Sequence, residues 1–345
     1  MRRIVLVILV ALACAGPASA YPWPFKPFDK QHPIRGFFGD PRTVYLNGIL
    51  AGAFEGPSFL SFHQGVDIAA PNGTPIYAVA NGTIHYLGAA TLNLDTGHDL
   101  TFQYFHIIPI AGEGQQVVAR KTILGYVQPP FGHVHITEIN GGRSVNPLQR
   151  GHLTPYRDHT VPHVHDILVR NQTGDLETPV GLCGRIAIDA DAYDTQPVAV
   201  PGTYRGLPVA PALVQWSLAR VGGKVVVPLR TAADFRRIVP PNGQFTDVYA
   251  NGTYENSPRF GREQYPGMPG RYLFLLSANF DTTNLANGNY TLTVRVADVR
   301  GNRSTGTQRI SILNARNSVC PGSLPAPPTS APPPTEPPGG SAGQP

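Results

Sequence analysis

The triplet His133-Val134-His135, set between Gly132 and Ile136, limits this chain more than any other short run in it. In a strand both imidazoles leave one face, about 7 Å apart along the backbone, so one can hold a metal while the other reaches a bound water. His63 and Asp67 stand four apart, which on a straight strand would separate them by about 13 Å, too far to share an ion. The chain is therefore expected to bend between them, at Gly65, where a residue without Cβ can take backbone angles closed to others. His106 lies between the two pairs. Two histidines and a carboxylate suffice to hold a zinc ion with its fourth position open, which leaves two further histidines to move protons.

The run Val66-Asp67-Ile68-Ala69-Ala70-Pro71-Asn72-Gly73 is punctuated like a strand entering a turn. Together with Gly73-Thr74-Pro75-Ile76-Tyr77-Ala78, Asn81-Gly82-Thr83-Ile84, Tyr104-Phe105-His106-Ile107 and His133-Val134-His135-Ile136-Thr137-Glu138-Ile139, it resembles the successive blocks of the lysostaphin-type (LytM-like) zinc metallopeptidases. Phe38-Gly39-Asp40-Pro41-Arg42 resembles their entry segment, and Val145-Asn146-Pro147-Leu148 their exit. The resemblance covers roughly residues 32 to 150. It implies an antiparallel β domain with an active-site groove, zinc held by His63, Asp67 and His135, and His106 and His133 as catalytic residues beside the attacking water. Members of the family mostly cut peptide bonds of bacterial peptidoglycan.

Two departures bear on the groove walls and on substrate choice. The segment Thr43 to Phe62 is longer than the family pattern needs, and no tyrosine closely precedes His63; the nearest is Tyr45. Thr91 to Leu100 lacks the usual glycine-rich turn. The chain also supplies its own control, because His163-Val164-His165 repeats the triplet among eleven histidines. Spacing does not separate the two. Context does, since the first triplet carries the family's trailing β pattern and the second reads as the first strand of a following domain. His32, His85, His98, His152 and His159 read as surface or strand residues.

Arg2 and Arg3 precede the apolar run Ile4 to Cys14, and Ala18-Ser19-Ala20 closes the segment with small residues. That is the form of a cleavable secretory signal over residues 1–20, too short to span a bilayer. Ala11-Leu12-Ala13-Cys14 looks only faintly like a lipid-attachment box, with Ala in place of Leu three before the cysteine. The expected location is secreted, periplasmic or associated with the cell wall. In an exported chain Cys183 and Cys320 are expected to pair, closing a loop of 137 residues and contributing about 5 kcal/mol less any strain. The net charge of +5 falls to +3 once Arg2 and Arg3 are lost, too mild for nucleic acid but compatible with an acidic wall polymer.

Beyond residue 150, strand-like runs at Arg185–Asp191, Leu213–Leu218, Lys224–Leu229, Arg271–Leu276 and Tyr290–Val296 predict a β-sandwich. Asn287-Gly288-Asn289 and Arg300-Gly301-Asn302 read as tight turns on either side of the last of these runs, in a pattern resembling the final hairpin of bacterial immunoglobulin-like domains. Residues 230 to 270 read as a long insertion. Asp189, Asp191 and Asp194 suggest calcium, although alternating acidic residues more often mark a solvated strand face. Residues 321–345, mostly Pro, Ser, Thr, Gly and Ala, read as a disordered tail.

The expected fold is all-β: a metallopeptidase domain over 21–150 and an immunoglobulin-like β-sandwich over 158–315. The expected function is that of a zinc metalloendopeptidase, with one Zn2+ per chain, hydrolysing peptide cross-links of peptidoglycan. Alternatives are a wall-binding or regulatory protein that keeps the fold without useful activity, and a secreted peptidase of proteins. The sandwich is expected to be a positioning module, so a chain ending near residue 157 would keep its zinc and cut small peptides.

Overall fold

The computed structural model describes residues 20–46, 49–52, 59–256, 269–314 and 320. The signal segment and the Pro-rich tail lie outside the described residues, apart from Ala20, as does the side chain of Tyr45. The fold is all-β with antiparallel sheets, and its helical content is short turns and the single turn Phe245–Val248. Among the described residues no helix is long and apolar enough to cross a membrane.

The first half is built on one large sheet in the order Ile34–Gly36, Val66–Ala69, His133–Asn140, Leu100–Phe105, Thr91–Asp95, Gly82–Gly88, Gln116–Val117, with Arg143–Val145 added beside His133–Asn140. Period-two alternation decides which side chains face the core. Val134 and Ile136 are buried with Val66, Ile68, Phe102 and Tyr104. His133, His135 and Thr137, on the other face, line the groove. Glu138 falls on the core side, where its carboxylate accepts from Tyr21 Oη at 2.7 Å and from His152 Nδ1 at 2.8 Å. His152 is thus a buried partner of a buried acid and lies in a bend, so its sequence reading as a surface or strand residue is corrected. His32 is half-buried too, packed on Trp23 and Phe25.

The second half is a sandwich of two antiparallel sheets. One runs His163–Arg170, Arg185–Tyr193, Leu273–Asp281; the other runs Val225–Asp234, Leu213–Arg220, Gly288–Ala297, Arg303–Ile312. Ile186, Ile188 and Ala190 from the first meet Val214, Trp216, Leu218, Leu292 and Val294 from the second in a common core. Cys183 and Cys320 are bridged, their Cα atoms 5.5 Å apart. Arg300-Gly301 turns the final hairpin, with Gly301 at φ +96°. Asn287-Gly288-Asn289 is not a hairpin turn: it follows the 3-10 turn Thr282–Asn284 and enters Gly288–Ala297 as the chain crosses from one sheet to the other.

The two halves share apolar packing. Phe38 and Phe62, from the groove half, are each 2% exposed and belong to the core of the sandwich. Phe62 lies 5.3 Å from Phe245, 5.7 Å from Phe235 and 5.9 Å from Tyr249, ring centre to ring centre. Polar contacts follow the same seam: Tyr249 Oη donates to the Gly39 carbonyl, and Asn146 Nδ2 donates to the Phe235 carbonyl. Gly39 is required here, since a Cβ at that position would lie 2.3 Å from the Phe235 ring.

Candidate metal centre and groove

Strand register brings the ligand candidates together. His135 stands opposite Asp67 on one side and opposite Phe105 on the other. His63 follows the short strand Ser61–Phe62, and the chain breaks at 63–65 before Val66–Ala69 begins. Gly65 permits this by its lack of bulk: its φ is not in the left-handed range, but a Cβ there would lie 2.3 Å from the Ile136 carbonyl oxygen and 2.7 Å from His135 Nε2. The expected bend is present, and close approach is what requires glycine.

His63, Asp67 and His135 form a compact triangle. His63 Nε2 is 2.8 Å from His135 Nδ1, His135 Nδ1 is 3.0 Å from Asp67 Oδ1, and Asp67 Oδ1 is 3.2 Å from His63 Nε2. His63 Nδ1 lies 2.8 Å from the Phe37 carbonyl, which can only accept, so Nδ1 carries the proton and Nε2 turns a lone pair inward. His135 Nε2 meets Thr137 Oγ1 at 2.8 Å, which leaves its Nδ1 for the triangle. Ligands held about 2.0–2.1 Å from a tetrahedral zinc stand about 3.3 Å apart, so the three edges fit one face of such a site. The outer bonds to Phe37, Thr137 and Arg42 are the kind that orient ligands and fix tautomers.

Charge is arranged to match. Asp67 is buried, which alone would raise its pKa, but the Arg42 guanidinium on its Oδ2, with His63 and His133 nearby, holds it well below the usual carboxylate range. Burial, reinforced by Arg42, pushes His63 down to about 3. Both ligands are thus in the deprotonated form that metal binding needs.

His133 and His106 flank the triangle. His133 Nδ1 donates to the Phe131 carbonyl at 2.9 Å, while its Nε2 lies 3.5 Å from Asp67 Oδ1 and accepts from Arg35 Nη2 at 3.3 Å. Burial, with Arg35 adding to it, lowers the His133 pKa well below the ordinary value. The His106 ring sits 4.6 Å from His133 and 4.2 Å from Phe131, and burial pushes its pKa down to about 4. Its φ of +61° is unusual for a residue with a side chain and marks the corner between Leu100–Phe105 and Ile107–Pro109.

All five sequence-selected side chains therefore line one groove of about 670 Å3. His163 and His165 do not reach it; both are exposed at the start of the sandwich. Sequence reasoning missed Arg42, Phe131 and Thr137 in the groove and Arg35 on His133, and it also missed Asn242 and Glu255, which the second half contributes to the wall. Glu255 pairs with Arg42 at 3.2 Å, and Asn242 Oδ1 accepts from the Phe62 amide. Arg42 ends the entry run Phe38-Gly39-Asp40-Pro41-Arg42, and its place in that run was the usable signal; its pairing with Asp67, 25 positions on, comes from the fold.

No curated protein matches the chain. Among solved structures, the chain is similar to LytU (23% identity, 36% of this chain and 86% of that one, TM-score 0.26) and to an M23 metalloprotease, pseudoalterin, from the deep sea (18% identity, 46% and 91%, TM-score 0.26). It is also similar to a chain of the SpoIIQ–SpoIIIAH pore-forming complex (16% identity, 38% and 90%, TM-score 0.30). Residues 61–147, the span that holds His63, Asp67, His106, His133 and His135, match the model of peptidase family M23.

Proposed function

We propose that this protein is an exported zinc metalloendopeptidase that hydrolyses peptide bonds in the cross-links of bacterial peptidoglycan. The observation that supports this most is the triangle of His63 Nε2, Asp67 Oδ1 and His135 Nδ1, with edges of 2.8 to 3.2 Å, inside a span that matches a peptidase family. These three residues would hold the zinc, which when bound supplies Lewis acidity toward a carbonyl oxygen and toward water. His133 and His106 are the proton carriers and oxyanion donors of this reading. His133 is held in one tautomer by Phe131, so its Nε2 is the nitrogen that faces the centre. Arg42 keeps Asp67 ionised and fixed. Residues 1–20 would direct export, and the sandwich, read as immunoglobulin-like, would brace the groove wall through Asn242 and Glu255.

Substitution separates the proton carriers from the ligands. His106→Ala and His133→Ala should each retain zinc and fold while losing about 10²–10⁴-fold in kcat. Wild-type turnover in either variant removes that residue from the mechanism. The pH profile should also be displaced. A base must be neutral to act, and burial lowers both pKa values, His106 to about 4. Activity should therefore stay level from about pH 7.5 to 6 and be lost only as pH falls through the lowered values, well below the ordinary value of about 6.5. An acid limb of kcat/KM centred at about 6.5 to 7 contradicts this assignment. Zymography on wall material against casein, with both variants as controls, tests the substrate class: clearing confined to casein would favour a peptidase of proteins instead.

A further inference from the structure

Three aspartates from distant parts of the chain converge away from the groove. Asp158 lies in the connection between the halves, Asp194 directly follows the strand Arg185–Tyr193, and Asp298 directly follows Gly288–Ala297. They are 5%, 1% and 2% exposed, and one carboxylate oxygen from each lies within 4.8 Å of the other two. The sequence grouping of Asp189, Asp191 and Asp194 does not survive: Asp189 pairs with Arg170 at 2.7 Å and Asp191 with Arg271 at 3.0 Å. Asp194 alone joins the new cluster.

Counting donors identifies what is missing. Asp298 Oδ1 accepts three backbone amides, from Arg300, Gly301 and Asn302, and its Oδ2 accepts only Asn302 Nδ2. Asp158 Oδ1 accepts the amide and hydroxyl of Thr160, and its Oδ2 accepts only Tyr156 Oη. Asp194 Oδ1 accepts the Thr195 amide, and its buried Oδ2 has no partner at all. A carboxylate oxygen has two lone pairs, so at least one remains on each residue with nothing between them to donate. Among the described residues no lysine or arginine makes an ion pair with any of the three. The Arg300 guanidinium, which Asp158 and Asp298 attract, makes no ion pair with them: it stacks 5.0 Å over Tyr156 and donates to that residue's carbonyl, and its buried Nε has no hydrogen-bond partner.

There is space beside these groups. Asp194 and Asp298 line a cavity of about 10 Å3, closed by Phe37, Phe38, Asn146 and Leu148, which holds the centre of one water-sized particle. Asp158 is not among the residues that line it, but its carboxylate lies within 4.8 Å of the other two, and three buried acceptors so close together need a cation or a proton. A proton on one carboxylate can be shared with a second and leaves the third without a donor; a cation meets all three. Oxygen-only ligands select a hard ion, and a site with room for little water disfavours magnesium, which keeps several waters.

We propose that Asp158, Asp194 and Asp298 bind one calcium ion, which fastens the connecting segment to the sandwich at its seam with the groove half. The site is independent of the zinc reading. The test uses the full chain holding one equivalent of zinc, freed of calcium and then titrated with calcium chloride, with thermal unfolding as one readout. Terbium luminescence, sensitised by Tyr156, is the other. Calcium should raise Tm saturably and displace terbium. Asp194→Asn should abolish the rise and weaken terbium binding at least 10-fold, whereas Asp234→Asn, at an exposed pair with Arg236, should change neither. Asparagine mimics a protonated acid. No calcium response in the wild type, with Asp194→Asn equally or more stable, would mean that a proton neutralises the cluster and would overturn the proposal. Should Asp194→Asn fail to fold, the wild-type titration decides alone: saturable terbium emission displaced by calcium supports the site, and its absence rejects it.

Discussion

His135→Ala should leave the purified protein without zinc, while His165→Ala keeps close to one zinc per chain. The two residues occupy identical His-x-His triplets, so the contrast tests structure rather than composition. His135 Nδ1 stands 2.8 and 3.0 Å from the other two donors of the triangle, and its loss leaves only His63 and Asp67. Second-sphere changes alone typically cost about 10–100-fold in metal affinity, so loss of a ligand should cost at least about 100-fold, and hydrolysis should vanish with the metal. His165 is exposed on the strand His163–Arg170 and has no neighbour in the triangle. Metal analysis by mass spectrometry after dialysis reads the result. Equal loss from both variants, or loss only from the second, would place the metal elsewhere.

A chain truncated after residue 157 should lose its cooperative unfolding transition and bind zinc poorly. The sequence alone makes the groove half look self-sufficient, but the shared packing argues otherwise. Phe38 and Phe62 would both be uncovered, at about 1.5–3 kcal/mol each, against a total stability of about 5–15 kcal/mol for a domain. Phe62 immediately precedes His63, so the ligand would lose the support of Phe235, Phe245 and Tyr249 behind it. Arg42 would lose Glu255, and Asn146 would lose the Phe235 carbonyl. Circular dichroism on heating, with zinc content measured in parallel, checks this. A truncated chain that melts cooperatively, holds one zinc and cuts small peptides would show that the two halves are independent modules.

The local periodicities are legible in the sequence itself. Alternation at His133–Asn140 places two imidazoles on one face, and the runs in the second half fall on strands, with boundaries moved by a few residues. The pairing of Glu138 with His152 is not legible. Each is polar and ordinary alone, and only the fold brings a histidine fourteen positions away, and Tyr21 from the other end of the domain, onto one buried carboxylate. Glu255 on Arg42, and Asp158 with Asp298, join positions more than a hundred residues apart, which no short motif encodes. Asn287-Gly288-Asn289 misleads for a related reason: its composition suits a hairpin, but whether the next strand pairs with the last one or crosses to the facing sheet is decided by tertiary packing.

The proposed function places zinc-dependent hydrolysis of peptidoglycan peptides at the His63, Asp67 and His135 centre. Isolated sacculi incubated with zinc-loaded protein, and their released fragments sequenced by mass spectrometry, test it most directly. New amino termini are expected at one class of peptide bond in the stem or cross-bridge, produced by the wild type, far slower with His133→Ala and absent with His135→Ala. Sacculi whose peptides remain intact under fully zinc-loaded protein, or cleavage undiminished in His135→Ala, would contradict it.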